Sequence, residues 1–329
     1  MLTKDKDYFK EKLYESIKGK NVIIASHISP DDDSIGSCIS AYFHLKDICN
    51  PRIMITGKKN DRWKEFEGFD YVEFVEDIAN FKEDADVYLV LDGNSWSRFS
   101  YLAKPKKVFC IDHHFAQETD LDLHLYLDYP CCVQIIYELF YEEKSVIPKH
   151  ICEIMLVGIL GDTGNFSYVK KGSSEVLLVA QKLIEQGDIQ VQELQSKYSK
   201  MGKNVFEELK KIIDNAKIVQ LEGWPTFIYT YTESLESDAQ EAASAFLFYL
   251  RTIEGVDWGF IAKQDEDGTK FSLRTLPSAV NVRLIAENFN GGGHDNAAGM
   301  KIPRLKAGEA VDKLIDFLKS ASPEKFLRK

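Results

Sequence analysis

The chain has no cysteine pair at metal-binding spacing. Its six cysteines, Cys38, Cys49, Cys110, Cys131, Cys132 and Cys152, form no Cys-x-x-Cys and all lie in the first half. That argues against a structural zinc site and for buried free thiols in a reducing compartment. No apolar run is long enough to span a bilayer. The N-terminal stretch MLTKDKDYFKEKLYESIKGK is charged and amphipathic with no apolar h-region, so it reads as a helix and not as a signal peptide. A membrane is therefore excluded as a partner, and the cytoplasm is the expected location. Positive charge is in deficit: 41 Lys and Arg stand against 52 Asp and Glu, a net charge of −11. A broadly basic surface for long duplex nucleic acid is excluded; a short anionic substrate at a local cationic site is not. There is no Gly-x-x-x-x-Gly-Lys-Ser/Thr loop, which argues against NTP-driven work. No Gly-x-Ser-x-Gly elbow surrounds Ser95, the one serine placed like a nucleophile. No Gly/Ser-rich or Pro-rich linker and no internal repeat interrupts the 329 residues, so a hinge between two domains has to lie at a helix end.

What is present is polar chemistry at the ends of apolar runs. Val22–Ala25 reads as a buried strand and leads into HISPDDDSIGS, residues 27–37. Arg52–Thr56, Val87–Leu91 and Val108–Ile111 read as further strands. The third of these four ends in Asp92, and the last in Asp112, His113 and His114. Strands alternating with helical segments predict a mostly parallel sheet flanked by helices, with ligands at the C-terminal strand ends. Residues 116–128 read as a loop or irregular strand. Residues 130–143 read as a helix, and a second, apolar helix from Pro148 stops at Gly161–Gly164 and presents Asp162. Helices are expected over 173–186 and 189–216.

Three acids in a row are costly to gather, since two unit charges 4 Å apart repel by about 1 kcal/mol even in water. An N-cap explains one Asp before a helix. It does not explain His27 beside Asp31 and Asp33, with Asp92, Asp112 and Asp162 delivered to other element ends. If these groups converge, five carboxylates share one cleft, and without a cation several are forced to protonate. Divalent metals relieve this, and mixed carboxylate and imidazole ligands suit Mn²⁺, Fe²⁺, Co²⁺ or Zn²⁺. Two such ions about 3.5–4 Å apart polarise a phosphoryl oxygen and activate water. The expected reaction class is hydrolysis of a phosphate ester.

IDHHF, holding Asp112-His113-His114, resembles the signature of the DHH phosphoesterase family. HISPDDDSIGS resembles the family's first motif, VLDGNS its second and GILGDTGNFSY its fourth. NGGGHDNAAG resembles the glycine-rich motif of the associated DHHA1 domain. The resemblance implies a stand-alone DHH–DHHA1 protein with a catalytic cleft between its two domains. It implies that His27, Asp31 and Asp92 hold one metal, and that Asp33, Asp92, His113 and Asp162 hold the other, with Asp92 shared. Asp112 would orient an imidazole, and His114 would face the scissile phosphate or its leaving oxygen. Two Mn²⁺ are expected, with Mg²⁺ or Co²⁺ as substitutes. The implied substrates are short oligonucleotides and 3′-phosphoadenosine-5′-phosphate. A cyclic-dinucleotide phosphodiesterase and a nucleotide-binding sensor without catalysis are the alternatives. Relatives often carry a small residue where Asp32 stands, an Asn shortly after His114, and Ser, Ala or Thr where Cys131 and Cys132 stand.

From Lys217 the pattern changes to short strands with a helix over 239–250, a hairpin around Asp265–Gly268, a helix over 280–288 and a closing helix over 305–320. This predicts a smaller α/β domain. Gly291, Gly292 and Gly293 in a loop over 290–299 would let backbone N–H groups approach an anion, with His294 as a donor. Taken alone, the three glycines read first as a tight turn before a helix. Arg274 ends a strand shortly before; it reads as a surface ion pair or, by the resemblance, as a phosphate ligand. The expected division is 1–188 for metal binding, 189–216 as helical connector and 217–329 for substrate. A homodimer is allowed. His44, His124 and His150 read as structural, the last two because they lack acidic partners at ligand spacing.

Overall fold

The computed structural model describes residues 1–28, 30–57, 59–75, 85–93, 95–96, 99, 107–116, 118–276 and 278–328. Contacts divide the chain into Met1–Lys200 and Met201–Lys329. Ser29 and Asn94, within the quoted motifs, fall outside the described residues.

The first unit opens with β1 (Leu2–Thr3) and α1 (Lys6–Ile17), which Asp5 caps by accepting the Tyr8 N–H. There follow β2 (Asn21–Ser26), α2 (Asp32–Leu45), β3 (Asn50–Thr56), β4 (Val72–Val75), β5 (Val87–Leu91), β6 (Val108–Asp112) and β7 (Leu123–Tyr126). All seven strands pair in parallel, in the order β1-β7-β6-β5-β2-β3-β4. The stretch read as a loop or irregular strand contains β7. Its four residues are buried, but too few for alternation to announce them. The helices α3 (Cys132–Phe140), α4 (Lys149–Asp162), α5 (Glu175–Gly187) and α6 (Val191–Tyr198) complete the unit.

Both faces of this sheet are covered, as apolar strands without clean alternation require. Val22, Ile24, Leu89, Leu91 and Ile111 face a core shared with α2, α3 and α4. Ile23, Ala25, Tyr88, Val90 and Cys110 face a second core with Trp96 and Phe99. The chain fills one side of β2 with β3 and β4, then returns to its other side with β5. The crevice between β2 and β5 is thus the switch point, where open parallel sheets bind ligands. All six cysteines are free and buried.

The second unit holds α7 (Lys203–Asp214), β8 (Lys217–Val219), β9 (Phe227–Thr232), α8 (Ser237–Phe246), β10 (Trp258–Asp265), β11 (Gly268–Thr275), α9 (Val282–Glu287), β12 (Gly292–His294), β13 (Ala297–Pro303) and α10 (Ala307–Ser320). Its sheet runs β12-β13-β11-β10-β9-β8, antiparallel except for β9 with β10. Val205, Leu209, Ala242 and Phe246 pack on one face with Ile228 and Ile261. Trp258, Phe260, Phe271 and Leu273 meet α9 and α10 on the other. The stretch expected as one helical connector, 189–216, is two helices interrupted at 199–202, one in each unit. The expected loop over 290–299 is a hairpin of β12 and β13 and leads into a strand, not a helix. No helix among the described residues is long and apolar enough to cross a membrane.

Candidate metal centre

Three strand ends and two helix ends of the first unit converge at the switch point. His27 follows β2, Asp92 follows β5, and Asp112, His113 and His114 end and follow β6. Asp31 is the N-cap of α2 and accepts the Ser34 N–H at 3.0 Å. Asp33 lies in the first turn of α2, and Asp162 is the last residue of α4. Three sets of groups stand close enough to share an ion: His27, Asp31 and Asp92; Asp33, His113 and Asp162; and Asp92, His113 and His114. His27 Nε2 is 3.3 Å from Asp92 Oδ2 and 3.8 Å from Asp31 Oδ2. His113 Nε2 is 3.1 Å from Asp162 Oδ2, 3.4 Å from Asp92 Oδ1 and 3.9 Å from Asp33 Oδ2. Asp92 belongs to two of the sets and lies between the two imidazoles.

The imidazoles are oriented from behind. His113 Nδ1 lies 3.0 Å from the Tyr129 carbonyl and His27 Nδ1 3.1 Å from the Ile28 carbonyl. Each carbonyl can only accept, so each Nδ1 carries a hydrogen and each Nε2 is the atom turned to the acids, where ligation would need it. Asp33 is completely buried, and both its oxygens accept backbone N–H groups at the start of α3: Cys132 at 2.6 Å and Val133 at 2.9 Å. This helix N-terminus favours the carboxylate form. Cys132 and Val133 thus serve Asp33 through their backbone N–H groups, not through side-chain hydroxyls. Asp92 adopts φ 61°, a left-handed conformation that Asp tolerates better than most residues. After Asp162 and Thr163, Gly164, Asn165 and Phe166 all have positive φ, at 55°, 53° and 67°. A bulky residue there costs roughly 1–3 kcal/mol, so strain is held beside two of the acids.

Charge balance shows what this cluster lacks. Burial pushes the Asp33 carboxyl well up, and Asp162 and Asp92 add to it. Burial also raises Asp162, with the nearby His113 ring opposing it. Burial works against charge on His27, but Asp31 and Asp92 outweigh it and raise that ring to about 10. His113 is likewise raised, since Asp162, Asp92 and Asp33 overcome its burial. Burial opposes charge on Asp92, yet the two rings hold it well below the usual carboxylate range. Protons thus gather where positive charge is needed. Asp92 Oδ1 and His113 Nε2 are buried with no hydrogen-bond partner among the described residues, a cost of about 1–3 kcal/mol each. An oxygen and a ring nitrogen left bare and turned together fit a divalent cation.

Other predicted residues lie around this centre. Asp112 Oδ1 accepts the His113 N–H at 2.9 Å and lies 2.8 Å from His114 Nδ1. Asp32 does not face the cluster: its oxygens take the Arg62 guanidinium at 2.7 Å and the Trp63 indole N–H at 2.8 Å. Sequence reasoning missed Ser34, whose buried hydroxyl lies 2.6 Å from Asp92 Oδ2 and 2.7 Å from His27 Nε2. Its only signal was its place directly after the acid run. His124 and His150, read as structural for want of acids at ligand spacing along the chain, each have an acid nearby in space. His124 Nε2 lies 3.9 Å from Asp112 Oδ2, and His150 Nδ1 lies 3.6 Å from Glu67 Oε2; pairings across elements leave no local spacing to read. His44 stacks on Phe140 and meets the Tyr14 hydroxyl at 2.6 Å.

In the second unit, Arg274, Ala297 and His294 are register partners across β11, β13 and β12, so Arg274 and His294 share one sheet face. β12 is an edge strand and carries Gly292 and Gly293. A Cβ at Gly291 would stand 2.4 Å from the Gly299 carbonyl, and Gly293 has φ 133°. Glycine is therefore demanded at both by the hairpin itself.

The fold and the clustered acids and imidazoles define a DHH-type protein. A family model described as "DHH family, N-terminal domain" matches residues 21–159, and one described as "DHHA1 domain" matches residues 226–321. The chain belongs to this family and carries both domains. It is 25% identical over 296 residues to the bifunctional oligoribonuclease and PAP phosphatase NrnA of Thermus thermophilus, covering 90% of this chain and 88% of that one. It is 30% identical over 149 residues to a probable manganese-dependent inorganic pyrophosphatase of Lactobacillus delbrueckii, covering 43% and 47%. An exopolyphosphatase-related protein from Bacteroides fragilis shares the fold, with TM-score 0.77 and 23% identity over 95% of this chain and 96% of that one.

Proposed function

We propose that the protein is a metal-dependent phosphoesterase that cleaves short 5′-phosphorylated oligonucleotides and 3′-phosphoadenosine-5′-phosphate to mononucleotides. The observation that carries this is the convergence of His27, Asp31, Asp33, Asp92, His113 and Asp162, with Asp92 Oδ1 and His113 Nε2 bare between them. Similarity to the Thermus relative over nearly the whole chain supports the substrate class.

These six residues would hold two Mn²⁺, the first by His27, Asp31 and Asp92, the second by Asp33, Asp92, His113 and Asp162. Such ions supply a polarised phosphoryl oxygen and an acidified water. The protein's own groups do the rest. Asp112 ties down His114 Nδ1, which leaves Nε2 of a partly exposed ring to take up a second proton from solvent and, as imidazolium, give it to the departing oxygen. Cleaving a dinucleotide to 5′-mononucleotides and removing the 3′-phosphate of the bisphosphate break the same P–O3′ bond. In each, water oxygen joins phosphorus, the 3′ oxygen leaves, and it takes a proton. One constellation serves both. Arg274, His294 and the backbone of Gly291, Gly292 and Gly293 are the proposed phosphate-holding groups. Residues 1–188 would form the metal-binding part, the two helices within 189–216 the connector and 217–329 the substrate-holding part, in a cytoplasmic protein able to form a homodimer.

The test is turnover of 5′-phosphorylated diadenylate, the bisphosphate and a cyclic dinucleotide with Mn²⁺, Mg²⁺ or Co²⁺. Asp92→Ala and His113→Ala should each lower Mn²⁺-dependent hydrolysis by about a thousandfold or more. Hydrolysis at the normal rate by either variant, or none by the unmodified protein, refutes the reading.

A further inference from the structure

The candidate site uses one oxygen of Asp112; the other faces a second histidine. Asp112 and His124 are both completely buried. Asp112 Oδ2 and His124 Nε2 lie 3.9 Å apart, and neither has a hydrogen-bond partner among the described residues. The strands place them there, since Asp112 ends β6 and His124 lies on the neighbouring β7. The gap is longer than a hydrogen bond and too short to hold a water between the atoms. A modest turn of the ring closes it.

The two sides of the ring together decide which nitrogen carries the hydrogen. His124 Nδ1 lies 3.3 Å from Thr119 Oγ1, and that oxygen already accepts the Leu121 N–H at 3.1 Å. The Thr119 hydroxyl can donate or accept, whereas the Asp112 carboxylate can only accept, so the pairing that satisfies both has His124 Nδ1 accepting from Thr119. The neutral ring then carries its hydrogen on Nε2, directed at Asp112. Burial works to keep the ring neutral, with Asp112 opposing.

We propose that His124 is a positioning residue: its Nε2–H donates to Asp112 Oδ2 and thereby locks Asp112 Oδ1 on His114 Nδ1. The line runs from the Leu121 amide through Thr119, His124 and Asp112 to His114. It holds the Nδ1 hydrogen of His114 on Asp112, in the neutral ring and in the imidazolium alike, so that Nε2 is the atom that takes up a proton and offers it to the substrate. The inference rests on the proposed function, in which His114 protonates the leaving oxygen.

Two substitutions separate positioning from packing. The side-chain nitrogen of His124→Gln can stand where Nε2 stands; that of His124→Asn reaches only the Nδ1 position. With Mn²⁺ and 5′-phosphorylated diadenylate, H124N should lower kcat by about 10- to 100-fold with KM little changed, and H124Q should recover most of the loss. Imidazole ¹⁵N–¹H correlation spectra of the metal-free protein give a readout independent of turnover. His114 should carry its hydrogen on Nδ1 in the unmodified protein and in H124Q, and exchange between both nitrogens in H124N. Equal kcat losses in the two variants, following equally lowered melting temperatures, would mean packing alone and overturn the inference. So would full activity in both, or an unaltered His114 tautomer in H124N. If the unmodified protein hydrolyses nothing, the functional reading has failed, and the tautomer measurement still decides this one.

Discussion

Asp32 stands in the chain between two candidate ligands and turns away from both. Its carboxylate is buried and takes its donors from Arg62 and Trp63. Asp32→Ala should therefore destabilise the first unit by about 1–3 kcal/mol, because it strands the buried Trp63 N–H. It should not abolish Mn²⁺-dependent hydrolysis. Urea unfolding and turnover on one preparation check both; lost hydrolysis with unchanged stability would contradict the assignment. His44 is held by the same kind of balance. Burial, then Lys144 and Lys10, lower its ring to about 4, below the ordinary 6.5. The unfolded chain therefore binds the extra proton between those values. The stabilisation is complete above pH 6.5 and lost as pH falls towards 4. Relative to His44→Phe, the unmodified protein should lose on the order of 3 kcal/mol across that window. Parallel pH–stability curves for the two would show that His44 contributes nothing to it. Residue types and order announced the acids and histidines of the site. They could not announce direction: that Asp32 faces outward, Ser34 inward and His124 toward Asp112 follows from which elements become neighbours.

Helices α2 and α4 deliver Asp31, Asp33 and Asp162, and they do so because glycines let them touch. A Cβ at Gly36 would lie 2.8 Å from the Ile154 carbonyl, one at Gly158 2.6 Å from Val133 Cγ2, and one at Gly161 2.7 Å from Asp32 Cβ. Alanine in a helix gains about 1 kcal/mol over glycine, but overpacking costs about 1–3 kcal/mol. At Gly36 the obstacle is backbone, which cannot step aside, so the steric cost wins. Gly36→Ala should lower stability and also weaken Mn²⁺ binding by shifting Asp33 against Asp162. Metal titration of the variant checks this, and unaltered affinity would uncouple the helix crossing from the site. At this scale the long apolar strands and helices were legible from periodicity. The four-residue β7 was not, and neither was the β12–β13 hairpin, because glycine lacks the side chain that carries the alternation signal.

Across the whole molecule the two units have separate cores, and the candidate metal ligands all belong to the first. A cation present at a hundredfold excess over its dissociation constant stabilises what it binds by about 2.7 kcal/mol. Hydrogen exchange with Mn²⁺ and then with chelator should show protection lost around β2, β5, β6 and the end of α4, and unchanged in residues 201–329. Equal losses in both units would sever the metal from the switch point. The sequence alone determined the parallel architecture, the two-part organisation and the identity of the polar strand ends, because apolar runs and motif order are local properties of a chain. Only the tertiary structure decided which of those ends meet and which atoms they leave bare. It seated Asp33 on the N-terminus of α3 and put His124 behind Asp112. Those outcomes depend on strand order and helix crossing, which join residues about 100 positions apart by packing.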